Sequence, residues 1–185
     1  MKQSKRAVVR VGTITLFIFI FVLFGCTHTQ VAKWLPFLGK TYTETVSGWK
    51  SYKDVVQWME KDFSFDEERY KKYEGTLPPP RTPEETFKLK SGIYIDAASF
   101  LKETLNRINP SYDARIVVLV FRPSRFNHYV CSFKTGGQLF IMDFGTPYRE
   151  VSGLLGPYRS LEEYKNFYEK HHPLQKKVEA VVYLK

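Results

Sequence analysis

Apolar positions along the chain fall into three regimes. A largely apolar run fills Val11 to Phe24. From Trp49 to Ile108 the apolar residues recur at three- and four-residue spacing, and from Ile116 onward they alternate with polar ones. The first spacing is that of one helix face and the second that of a half-buried strand. Trp49, Tyr52, Val55, Val56 and Met59 therefore predict a helix, followed by a short extended Phe63-Ser64-Phe65 and a polar helical turn or two over 67–74 that ends at Pro78-Pro79-Pro80. Thr82-Pro83-Glu84-Glu85 is a strong helix start, with Thr as N-cap, Pro at N1 and Glu at N3. That helix is expected to stop at Ser91-Gly92. A more buried one follows, with Ala97, Ala98, Leu101, Leu105 and Ile108 on one side.

In the second half, Ile116 to Phe121 suits a central strand. Asn127 to Phe133 and Gln138 to Phe144 flank Thr135-Gly136-Gly137 as a hairpin. Ser160-Leu161-Glu162-Glu163 opens another capped helix, and Val178 to Leu184 reads as a last strand. Helices first and an antiparallel sheet second make the expected class α+β. No internal repeat is visible.

The N-terminal run changes the picture of where this domain works. Lys2, Lys5, Arg6 and Arg10 precede it without an acidic residue, and Gly25-Cys26 follows it. A basic start, a short apolar stretch and a small residue at the boundary describe a secretory signal. At 14 residues the run is shorter than the roughly 20 that span a bilayer. Leu23-Phe24-Gly25-Cys26 resembles a lipobox, with Phe24 bulkier than is usual there; cleavage before Cys26 would leave its thiol and amine to carry acyl chains. The competing reading is an uncleaved, tilted anchor with an incidental cysteine. The expected organisation is a signal peptide over 1–25, a lipidated tether over 26–45 and one domain over 46–185. That domain would lie outside the cytoplasm of a bacterium and be held on a membrane through Cys26. Thr27 rather than Asp after the cysteine resembles the outer-membrane pattern, should the cell be Gram-negative.

Charge adds little. Without residues 1–25 the chain keeps 24 basic against 19 acidic side chains, a net +5 spread without a stripe, so no nucleic-acid partner is expected. The remaining 160 residues suffice for one domain with its own core. With Cys26 acylated, Cys131 stands alone and no internal disulfide can form.

Candidate chemistry gathers in the hairpin. A two- or four-residue loop around Gly136 puts His128 and Asp143 on one face, directly opposite or one diagonal step apart. An Asp beside a His orients the imidazole and stabilises its charged form, as around a catalytic base. The same pair also serves as an ordinary cross-strand contact. Cys131 lies three residues from His128 on the same strand and so should face the other way, as a buried small hydrophobe.

Lys90-Ser91-Gly92-Ile93-Tyr94-Ile95-Asp96-Ala97-Ala98, with the capped helix before it and His128 and Asp143 after it, resembles the transglutaminase-like superfamily of papain-like thiol enzymes over roughly residues 46–148. That family sets a nucleophilic cysteine in a Gly-x-Cys-x-Asp/Glu-x-Ala context at the start of a buried helix, with its His and Asp on neighbouring strands. The resemblance implies a papain-like fold with N-terminal helices packed on an antiparallel sheet, and a triad at Tyr94, His128 and Asp143 with Asp96 as helper. It also implies a departure: Tyr94 stands where the cysteine belongs. A thiol there becomes a thiolate, whereas a phenol begins near pKa ~10 and is bulkier and less nucleophilic.

Three readings follow. The first is a lipid-anchored, non-catalytic pseudoenzyme domain that binds a peptide, a peptidoglycan component or an envelope protein in the groove between the Tyr94 helix and the His128 hairpin. The second is an active hydrolase, peptidase or acyl transferase with a non-standard nucleophile, Tyr94 or Cys131. The third is an anchored structural domain without a site. No cofactor is expected. His171-His172 has no ligand-spaced partner, and His28 lies in the tether, so no metal site is expected either.

Overall fold

The computed structural model describes residues 39–74, 76–121 and 127–185. Cys26, Thr27 and His28, with the expected signal and most of the tether, lie outside the described residues. Among those described, no helix is long and apolar enough to cross a membrane.

Helices occupy the first half. The first, α1 (Tyr42–Val46), is closed by a capping box in which Thr41 accepts from the Glu44 amide and the Glu44 carboxylate accepts from the Thr41 amide. Its Tyr42 and Val46 are buried, so the domain begins within the stretch expected as tether, ahead of residue 46. The run from Trp49 becomes α2 (Tyr52–Asp62), capped by Ser51 and Asp54. Polar α3 (Glu67–Lys72) buries nothing, which is why its sequence shows no apolar stripe. Thr82 and Glu85 cap α4 (Pro83–Leu89), which ends on Lys90 in the left-handed region at φ 53°.

Two short strands, β1 (Ser64–Phe65) and β2 (Ser91–Gly92), pair in parallel. They seat the start of the long helix α5 (Tyr94–Ile108) next to the chain that leads into α3. Leu101 and Leu105 of α5 are wholly buried, as its spacing predicts, and so is Phe100.

The sheet is β3 (Arg115–Phe121), β4 (His128–Thr135), β5 (Gln138–Asp143), β6 (Gly153–Tyr158) and β7 (Val178–Tyr183), antiparallel throughout in the order β6-β5-β4-β3-β7. The hairpin turns on Gly136 and Gly137 at φ 57° and 75°, the two positive values that a two-residue turn of this hand requires. The periodicity predicts no strand over 153–158, where Gly153, Gly156 and Pro157 interrupt the apolar residues. At the edge of a sheet a proline forfeits no ladder bond, so β6 can carry these residues where an inner strand could not.

Alternation along β4 divides the core. Cys131 and Phe133 join Met59, Phe100, Leu101 and Leu105 on one face. Val130 joins Leu119, Ile141, Tyr164 and Tyr168 on the other, where α6 (Leu161–His171) covers the sheet. The N-terminal helices pack on the sheet as the resemblance implies. The sheet is also closed from behind by α6, and that closure builds half of the site.

Candidate active site

His128 is the first residue of β4 and Asp143 the last of β5. Cys131 pairs with Met142, so Val130 falls opposite Asp143 and His128 lies one diagonal step beyond, on the same face. The two side chains meet with His128 Nε2 2.5 Å from Asp143 Oδ2. Both are buried, Asp143 completely. Since the carboxylate only accepts, the imidazole donates from Nε2, and Nδ1 is left as its basic nitrogen. Among the described residues nothing bonds that Nδ1, and the second carboxylate oxygen, Oδ1, is also unpartnered. Tyr168 stacks over the imidazole at 5.9 Å and 30°.

Tyr94, the first residue of α5, completes the cluster. Its ring stands edge-on to His128, with centroids 5.9 Å apart and planes at 72°, and it stacks on Tyr129 at 5.7 Å and 16°. Burial raises its phenol pKa, and the neighbouring Tyr70, Tyr129 and Asp96 act in the same direction. At neutral pH the ring is therefore an uncharged wall beside the imidazole. The loop after Asp143 closes against it: a β-carbon on Gly145 would lie 2.3 Å from Tyr94 Cα. The hairpin and the Gly145 contact thus bring Tyr94, His128 and Asp143 to one place.

Asp96 does not join them. Its carboxylate accepts from Arg69 Nε at 2.8 Å and Nη2 at 3.2 Å, from the Arg81 amide at 2.8 Å and from the Ile93 amide at 3.1 Å. With four donors on two oxygens it is committed to holding α3, the 79–81 segment and the α5 start together. Arg81 extends the network to Asp66 at 2.8 Å. Cys131 is fully buried on the opposite face, as the three-residue offset from His128 requires, and burial pushes its thiol far up from the ordinary cysteine range.

Tyr94 and His128 form the floor of a cleft of about 220 Å³ between the α5 start, the 145–148 loop and the chain beyond α6. Four of its walls went unread in the sequence: Tyr70, Tyr148, Tyr168 and His172. His172 was treated only as half of a His-His pair. It is buried between Tyr148 and Tyr168, with centroids at 4.6 and 5.1 Å, whereas His171 is exposed and stacks on Phe167. Tyr164, Tyr168 and His172 are spaced by four and so form one helical stripe, a signal present in the sequence. Among the described residues no three His, Cys, Asp or Glu side chains are placed to hold a metal ion.

None of the curated proteins compared matches this chain. A family model described as a transglutaminase-like domain matches residues 30–170, most of the chain. That span takes in α1, the Tyr94 helix start, the His128–Asp143 hairpin and nearly all of α6. The chain belongs to the transglutaminase-like domain family.

Proposed function

We propose that this transglutaminase-like domain is a non-catalytic binding module, held on the outer side of a bacterial membrane by a lipid on Cys26. Its ligand would be an envelope component, and the cleft over His128 and Asp143 would receive it. The observation that carries the reading is Tyr94. A neutral phenol with its pKa raised by burial occupies the helix start where the family pattern calls for a thiol. Its ring fills space beside the imidazole that an acyl group would need. Cys131, the other candidate nucleophile, faces the wrong way and is held as a neutral thiol.

The competing reading is acyl transfer or hydrolysis through a non-standard nucleophile, and the intact His128–Asp143 pair is the observation in its favour. Against it, a phenol raised above its ordinary pKa is a poorer nucleophile, not a better one. The deciding experiment assays the purified chain for ester, amide and transamidation turnover before and after alkylation under mild denaturation, followed by refolding. Absence of turnover in both samples is expected. Turnover lost on alkylation of Cys131, or on Tyr94→Phe, would overturn the proposal. The anchor has its own test: fatty-acid labelling of cells should disappear in Cys26→Ser, and labelling that persists contradicts it.

A further inference from the structure

The cleft has a chemical bias. Among the described residues no carboxylate lines it; the one beneath its floor, on Asp143, is already engaged by His128. Lys176 lines the mouth and has no hydrogen-bond or ion-pair partner among the described residues, whereas its neighbour Lys177 lies 3.9 Å from Glu169. The chain that carries Lys176 is held in place locally. Gln175 sits in the left-handed region at φ 47° and donates its amide to the His172 carbonyl at 2.8 Å. The Leu174 amide donates to His172 Nδ1 at 3.1 Å.

That last bond fixes a tautomer. With Nδ1 accepting, the proton of the neutral ring lies on Nε2, a donor without a partner among the described residues on a ring that lines the cleft. Besides His128, Asn127 and Thr146 add polar atoms to the lining, and the other walls are apolar or aromatic. Tyr70 from α3 and Leu174 from beyond α6 are both large, exposed and part of the lining. At about 220 Å³ the cleft is smaller than the roughly 300 Å³ that encloses a drug-sized ligand, so it suits one ring-sized group and its terminal polar atoms. One ammonium and one imidazole N–H match a monoanion; among the described residues the lining has no arginine fork of the kind that favours a dianionic phosphate.

From this complementarity we infer that the cleft binds a carboxylate-terminated ligand with one aromatic or branched aliphatic group, the carboxylate on Lys176 and His172 Nε2–H and the group against Tyr70 and Tyr148. The inference rests on the binding-module reading and names its ligand class. It is tested by titrating the full chain with N-acetyl-phenylalanine and, separately, with N-acetyl-phenylalaninamide, isosteric probes that differ in charge. The acid should bind about tenfold more tightly, the scale of a hydrogen bond to a charged group. Lys176→Gln should bring the acid down to the level of the amide. Equal binding of the two probes, no binding of the acid, or an acid affinity indifferent to Lys176→Gln each overturns the inference. Those outcomes leave the non-catalytic reading standing, which fails separately if turnover is found in the same samples.

Discussion

Gly145 lies so close to the start of α5 that a β-carbon on it would come within 2.3 Å of Tyr94 Cα and 2.7 Å of the Tyr94 nitrogen. Both obstacles are backbone, which cannot rotate aside. The loop after Asp143 and the helix carrying Tyr94 are thus in direct main-chain contact, and this contact brings residues 94 and 143 into one site. Gly145→Ala should therefore destabilise the fold by about 2 kcal/mol or more, on the scale of overpacking a filled site. Urea denaturation measures it. A change within a few tenths of a kcal/mol would mean that the two backbones do not touch.

Asp96 is expected to matter for stability, not for chemistry. A completely buried carboxylate with a bidentate arginine and two amides leaves its donors stranded when removed. Asp96→Ala should cost about 3 kcal/mol, the range for breaking one side of a buried pair. It should also release α3 and the 76–81 chain, which limited proteolysis would read as new cleavage between residues 66 and 81. Full stability with unchanged proteolysis would remove the network from the account.

His172 gives the fold a pH dependence. Burial is the main cause that lowers its pKa below the ordinary histidine value, with His128 and Lys176 adding to it. The sign follows from linkage: the unfolded state takes up a proton near pH ~6.5 that the folded state resists, so stability falls as pH drops below that point. Tyr148 and Tyr168 pack on the ring, and Asp143 and Glu150 oppose the shift without reversing it. His172→Asn retains an acceptor for the Leu174 amide and cannot titrate. It should flatten the pH 5–7 part of the urea-midpoint profile relative to the unmodified chain. A profile that stays parallel to the original would place the titration elsewhere.

What the sequence disclosed and what it withheld follow from the range of the forces involved. The capping box at Thr82, the N-cap at Ser160, the Gly136-Gly137 turn and the α5 stripe depend on residues a few positions apart and were legible. The diagonal placement of His128 and Asp143 and the opposite facing of Cys131 needed only strand parity and the turn length. β6 was hidden because its glycines and proline are tolerable only at an edge, and edge position is a property of the assembled sheet. α1 was hidden because five residues are too few to display a period. The resemblance implies a helper role for Asp96, but Arg69, 27 positions earlier, claims its carboxylate. His172 joined the site only because α6 covers the back of the sheet, and no local pattern states which face a helix will cover.

The most direct test concerns the site as a unit. In Tyr94→Cys, the alkylation rate of the new thiol is measured against pH; buried Cys131 is too protected to contribute. If residues 94, 128 and 143 form one site with a phenol in the place of the nucleophile, the thiol should titrate well below the ~8.5 of free cysteine, and His128→Ala in the same background should restore the ordinary value. A thiol that titrates near ~8.5 whether or not His128 is present would contradict the account.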